Sequence, residues 1–117
     1  VVLSGDDSLT LPLMSVGAKG VISVAANVVP KLMVDLVDLA ADGDFVGARE
    51  LHFRLYPLFK ALFVETNPIP VKAALAMMGK IQENYRLPLV RISEGARNKV
   101  ASVLAGLGLI PGDSGAR

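Results

Sequence analysis

The chain opens with Val1-Val2-Leu3-Ser4-Gly5-Asp6-Asp7, and a second apolar run follows at Gly20-Val21-Ile22-Ser23-Val24. Both runs are continuous and do not alternate in polarity, which is typical of strands buried on both faces of a parallel sheet. Residues 8–16 predict a short helix closed by Gly17, so we expect a right-handed βαβ unit. Two strands alone are marginal in water, and we therefore expect the sheet to belong to a larger fold.

The rest of the chain has the spacing of helices. Apolar side chains recur at helical intervals after residue 30, with proline, aspartate, asparagine, serine and glycine at the positions that begin or end helices. We predict a helix from Pro30 to Gly43, followed by a long helix that Asp44 caps and that contains Pro57. A third helix begins at Asn67-Pro68 and ends at Gly79. An irregular segment over 80–92, a last helix capped by Ser93 and a mobile tail over 111–117 complete the chain.

Composition excludes several classes of protein. The net charge is +1 and aromatic residues make up 5%, so we expect no nucleic-acid partner. Apolar residues reach 52%, yet no unbroken apolar run approaches the ~18 residues of a membrane span, and we expect no membrane partner. There is no cysteine, which excludes disulfides and thiolate metal sites and fits a reducing cytoplasm.

Candidate chemistry lies where the two predicted strands end. Ligands gather at the carboxyl ends of parallel strands, so the turn at Gly5 and the segment 25–27 face the expected site. Asp6 and Asp7 could bind metal or act as acid and base, but capping of the following helix and bonding to turn amides are favoured. For His52 and Lys72 we favour structural roles. The residues alone contain no complete catalytic or metal-binding set.

Three strings carry a resemblance to a known family. Leu3-Ser4-Gly5-Asp6-Asp7, the segment from Gly20 to Asn27, and Phe63-Val64-Glu65-Thr66-Asn67-Pro68-Ile69-Pro70-Val71-Lys72 resemble, in order and spacing, the C-terminal part of the dihydrodipicolinate synthase family. The resemblance implies an α/β fold: the last two βα units of a (β/α)8 TIM barrel over 1–43, followed by a C-terminal three-helix extension over 44–110.

The resemblance also implies a function. Members of the family are lyases that condense pyruvate with L-aspartate 4-semialdehyde through a Schiff base, in lysine and diaminopimelate biosynthesis. They work in the cytoplasm as homotetramers, with no cofactor beyond the covalent pyruvate imine. The imine lysine and the tyrosine and threonine proton relay lie outside this chain, so we expect it to be inactive alone. What carries over is substrate contact by Ile22 and Gly5, a cavity position for Asn67, and an interface position for Val16.

Two other functions stay open. A sister pyruvate aldolase, similar to N-acetylneuraminate lyase, would share the fold and the imine chemistry but act on a different second substrate. A non-catalytic helical module would instead pair with a partner through the exposed edge of its first strand, because an uncovered strand edge promotes aggregation.

Overall fold

The computed structural model describes residues 1–112. They belong to two compact units, Val1–Phe59 and Lys60–Arg117. The part of the predicted mobile tail from residue 113 onward lies outside the described residues. No helix in the described part of the chain is long and apolar enough to cross a membrane.

The two apolar runs of the first unit meet in a single parallel bridge between Ser4 and Val21. Ser4 N–H donates to the Gly20 carbonyl at 2.8 Å, and Ile22 N–H donates to the Ser4 carbonyl at 2.9 Å. The predicted parallel direction is therefore confirmed. The predicted strands are wrong in length, because this bridge is the only strand pairing within residues 1–112.

Short helices connect and follow these runs. A 3-10 turn over Asp7–Leu9 leads into α1, Thr10–Ser15, and Gly17 follows with φ of 114°. A second 3-10 turn, Ala25–Asn27, precedes α2, Pro30–Ala41. Proline stands at the first position of α2. A backbone N–H at that position has no acceptor within the helix, so proline costs no hydrogen bond there. The predicted helical connection and the proline start are confirmed. Helix α2 packs against α1 and the second turn, with Met33, Leu36 and Ala40 buried.

Helix α3 spans Phe45–Ala61 and contains Pro57. The Asp44 carboxylate accepts a hydrogen bond from Gly47 N–H at 2.9 Å, which confirms the predicted cap. Ala48, Leu55 and Leu58 are buried as their spacing predicts. Phe45, the first residue of the helix, is 37% exposed.

The second unit contains α4, Ile69–Met77, and α5, Glu94–Gly106, which pack against each other. Ser93 caps α5 by accepting a hydrogen bond from Ala96 N–H at 3.3 Å, as predicted. The predicted start of α4 was one residue early. Pro68 precedes the helix. Pro70 lies in the first turn, where a backbone N–H would have no acceptor within the helix. Residues 80–92 form no helix or strand, as predicted.

Candidate functional site

Gly5 and Ile22 are the residues that directly follow the parallel Ser4–Val21 bridge along the two runs. The Ile22 side chain is 71% exposed. A Cβ placed on Gly5 would meet no atom within 4 Å, so the space above this turn is open. The two residues for which the resemblance implies substrate contact thus directly follow a bridged pair, and both are exposed.

Asp6 holds the turn that follows Gly5. Its Oδ1 accepts hydrogen bonds from Ser8 N–H at 2.9 Å and from the Ser8 hydroxyl at 2.8 Å. Its backbone is held in turn by Ser4, whose hydroxyl donates to the Asp6 carbonyl at 2.7 Å. The prediction that this aspartate caps the following helix is confirmed. Since its side chain is occupied in the cap, an acid, base or metal role is not favoured.

Asp7 joins the first turn to the second. The residue is 2% exposed. Oδ1 accepts a hydrogen bond from the Ser23 hydroxyl, while Oδ2 accepts from Ala25 N–H at 2.9 Å and Val24 N–H at 3.2 Å. Bonding of this aspartate to turn amides was predicted and is confirmed, and the amides belong to the turn that follows the second run. A serine at the end of the second run, opposite an aspartate at the end of the first, was the available signal for this cross-connection.

The remaining residues implied by the resemblance lie elsewhere. Asn67 belongs to the second unit and is exposed, so no single unit brings it together with Gly5 and Ile22. Val16 is 81% exposed, which leaves it available for an interface. No group of three or more histidine, aspartate or glutamate side chains within residues 1–112 could hold a metal ion.

No lysine has the surroundings of a Schiff-base nucleophile. Such a lysine needs a desolvated pocket, and none of the six lysine side chains is buried. Lys72 is half-buried, with Nζ 5.6 Å from the centroid of the Tyr85 ring. This contact is a cation–π interaction, which supports the structural role predicted for Lys72.

His52 is a buried packing residue, which fits the structural role predicted for it. It is 8% exposed, and its ring centroid lies 5.4 Å from that of Phe53 and 6.1 Å from that of Phe59. No residue in the described part of the chain hydrogen-bonds to its Nδ1. Burial lowers the pKa of His52, because an apolar surrounding disfavours the charged imidazolium.

This environment predicts a loss of stability in mild acid. With the pKa of His52 lower in the folded chain than in the unfolded one, the unfolded state takes up the proton first as the pH falls below about 6.5. The free energy of unfolding should then fall by up to about 1.4 kcal/mol per pH unit. Urea denaturation between pH 7 and pH 5 checks this, with His52→Phe as the comparison. An equally steep fall in that variant would contradict the assignment to His52.

A second polar network holds the irregular segment of the second unit. Glu83 pairs with Arg97 of α5 through Oε1 and accepts a 2.8 Å hydrogen bond from the Tyr85 hydroxyl through Oε2. Burial alone would raise the pKa of Glu83, but the bonds from Arg97 and Tyr85 and the nearby positive charges lower it. Burial, the bond to Glu83 and the charge of Glu83 raise the pKa of Tyr85 to about 12. The sequence offered no spacing rule that pairs positions 83 and 97.

Comparison with known proteins decides the family. The profile of the dihydrodipicolinate synthetase family matches residues 1–107. The chain belongs to this family. It is 57% identical over 109 residues to the 4-hydroxy-tetrahydrodipicolinate synthase of Methanocaldococcus jannaschii, covering 93% of this chain and 38% of that protein. The resemblance to dihydrodipicolinate synthases is therefore confirmed.

Solved structures of family members agree with the fold of this chain. The dihydrodipicolinate synthase of Aquifex aeolicus superposes with a TM-score of 0.91 at 56% identity, over 92% of this chain and 37% of that one. The chloride-inhibited enzyme of Acinetobacter baumannii, solved with pyruvate, has a TM-score of 0.91 at 42% identity, over 94% and 38%. The chain thus spans well under half the length of these relatives.

Proposed function

We propose that this chain is the C-terminal part of a 4-hydroxy-tetrahydrodipicolinate synthase. The whole enzyme condenses pyruvate with L-aspartate 4-semialdehyde through a Schiff base, in the cytoplasm and as a homotetramer. The observation that carries the proposal is the family match, together with the parallel Ser4–Val21 bridge that directly precedes Gly5 and Ile22. Relatives of this name and a relative solved with pyruvate support the choice of substrate.

In this proposal the first unit supplies one wall of the pyruvate site. Residues 1–43 are the last two βα units of a (β/α)8 barrel, and residues 44–110 are the three-helix extension. Ile22 orients pyruvate through its backbone, Gly5 leaves space for it, and Asn67 faces the same cavity. The imine with pyruvate is the electron sink, and it forms on a lysine outside this chain.

An apolar groove beside the bridge supports a barrel that continues past these residues. It has a volume of about 410 Å³ and is lined by residues that include Leu3, Val21, Met33 and Val34. Leu3 is 47% exposed and Val34 is 54% exposed. A further strand and helix of the same barrel would bury these side chains, since parallel sheets are covered on both faces.

The test is a borohydride trapping experiment. Incubating this chain with pyruvate and borohydride should leave its intact mass unchanged, because none of its lysines lies in a desolvated pocket. The full-length protein treated in the same way should gain one pyruvate-derived adduct, and the full-length protein without pyruvate is the control. A stable adduct on the isolated chain would contradict the proposal.

The second substrate is tested with the full-length protein. Pyruvate with aspartate semialdehyde should give product, whereas pyruvate with N-acetylmannosamine should not. The reverse result would favour the sister aldolase. A full-length protein that forms no adduct and no product with either pair would favour the non-catalytic module.

A further inference from the structure

The buried carboxylate of Asp7 has no part in the chemistry described above, yet it accepts three hydrogen bonds from the segment that carries Ile22. Its two oxygens bind the Ser23 hydroxyl and the N–H groups of Val24 and Ala25. These are the three residues that directly follow Ile22. A side chain in the first turn therefore holds the backbone of the second.

Ile22 is held on both sides. On the amino-terminal side its own N–H donates to the Ser4 carbonyl at 2.9 Å. On the carboxyl-terminal side Asp7 holds the next three residues. Since the amide of Ile22 is already bonded within the protein, its carbonyl is the backbone group left to meet a ligand. The position of that carbonyl depends on both attachments.

The backbone next to Asp7 is held by buried hydroxyl side chains. The Ser4 side chain bonds both ways to Asp6, accepting from its N–H at 3.1 Å and donating to its carbonyl at 2.7 Å. The Thr10 hydroxyl donates to the same carbonyl at 3.2 Å. Ser4 and Thr10 are both buried, at 1% and 0% exposure. The backbone of Asp6, which directly precedes Asp7, is thus held by hydrogen bonds that do not involve the Asp7 carboxylate.

We propose that Asp7 is a positioning residue for pyruvate: its carboxylate sets the place of the Ile22 backbone by binding Ser23, Val24 and Ala25. The inference rests on the proposed function, because it takes Ile22 to contact pyruvate. A displacement of about 1 Å in such a contact can cost about 100-fold in rate. A carboxylate suits the place because it only accepts hydrogen bonds, and all three neighbours donate.

The experiment compares three variants of the full-length protein. Asp7→Ala removes all three acceptor contacts. Ser23→Ala removes one of them, together with the 2.9 Å hydrogen bond that Ala26 N–H donates to the Ser23 hydroxyl. Asp7→Asn is the conservative control, because its amide oxygen can accept from both N–H groups while its NH₂ donates to the Ser23 oxygen. We expect the KM for pyruvate to rise about tenfold or more in Asp7→Ala, by less in Ser23→Ala, and to stay near that of the unaltered protein in Asp7→Asn.

Two further readouts separate positioning from a purely structural role. The KM for aspartate semialdehyde should stay within about twofold in all three variants, because Ile22 acts on pyruvate. Hydrogen exchange at the Val24 and Ala25 amides should become faster in Asp7→Ala and stay slow in Asp7→Asn. If Asp7→Ala only reduced the amount of folded protein, kcat would fall and the KM for pyruvate would not change. That result would overturn the proposal.

Failure of this inference differs from failure of the proposed function. Faster exchange at Val24 and Ala25 with an unchanged pyruvate KM would overturn the positioning role and leave the synthase intact. An unaltered full-length protein that does not turn over pyruvate would overturn the proposed function, and the positioning role with it. If Asp7→Ala does not fold, Ser23→Ala decides by the same pyruvate KM.

Discussion

Replacing Leu36 by alanine should lower the free energy of unfolding of this chain by about 2–5 kcal/mol, the largest stability effect that we expect. Leu36 is completely buried on α2. The helix packs against α1 and against the turn Ala25–Asn27. Truncation removes apolar contacts and leaves a cavity that the surrounding helices can only partly close. The chain has no tryptophan, so urea denaturation followed by far-UV circular dichroism is the suitable measurement.

A leucine of opposite environment provides the control. Leu87 is 86% exposed, so the same chemical change there should alter the free energy of unfolding by no more than about 0.5 kcal/mol. Equal losses in the two variants would show that the burial of Leu36 does not stabilise the chain. A change in the slope of the urea dependence would point instead to an altered unfolded or native state.

Replacing Glu83 by alanine should release the segment between α4 and α5. The substitution leaves Arg97, whose side chain is 25% exposed, without its carboxylate and leaves the Tyr85 hydroxyl without its acceptor. Hydrogen bonds to charged groups contribute about 1.5–3 kcal/mol, so we expect a loss near the lower end of that range for this partly exposed pair. Amide exchange over residues 80–92 should become faster, because few backbone hydrogen bonds hold this segment.

A second variant, Glu83→Gln, separates the effect of the negative charge of Glu83 from the effect of its hydrogen bond to Tyr85. Glu83→Gln keeps an acceptor for Tyr85 but removes the charge, so it should lose less stability than Glu83→Ala. The pKa of Tyr85 should fall from about 12 in both variants, because the negative charge of Glu83 helps to raise it. Ultraviolet titration of the phenol measures this, with Tyr85→Phe to identify the transition. An unchanged Tyr85 titration would contradict the network.

The same network has a pH dependence of definite sign. The pKa of Glu83 is lower in the folded chain than in the unfolded one. Its contribution to stability is therefore complete above the ordinary carboxylate pKa and is lost as the pH falls through the lower, folded value.

Local signals in the sequence predicted the helices well. Pro30, Asp44 and Ser93 each begin or cap a helix as their chemistry requires. These effects act within one helical turn, so a single sequence contains them. Strand length was not predictable in this way, because the ladder depends on neighbours distant in the chain.

The site was predictable only in outline. The rule that ligands gather at the ends of parallel strands singled out the turn at Gly5, and the bridge brings this turn beside Ile22. The cross-connection from Asp7 to Ser23 and the pair of Glu83 with Arg97 join positions far apart in the chain. The positions of Asp7 and Ser23 at the ends of the two runs were a signal for the first contact. No local pattern specifies either pairing, because both follow from tertiary packing.

The hydrogen bonds of Asp7 have a consequence for protein engineering. Position 7 and positions 23–25 are bonded to each other, so they should be inherited as one block when this chain is recombined with a relative. A crossover placed between them would combine a carboxylate from one parent with a turn shaped by the other. Crossovers before residue 4 or beyond residue 28 keep the block whole, and chimaera libraries built on this family are best cut there.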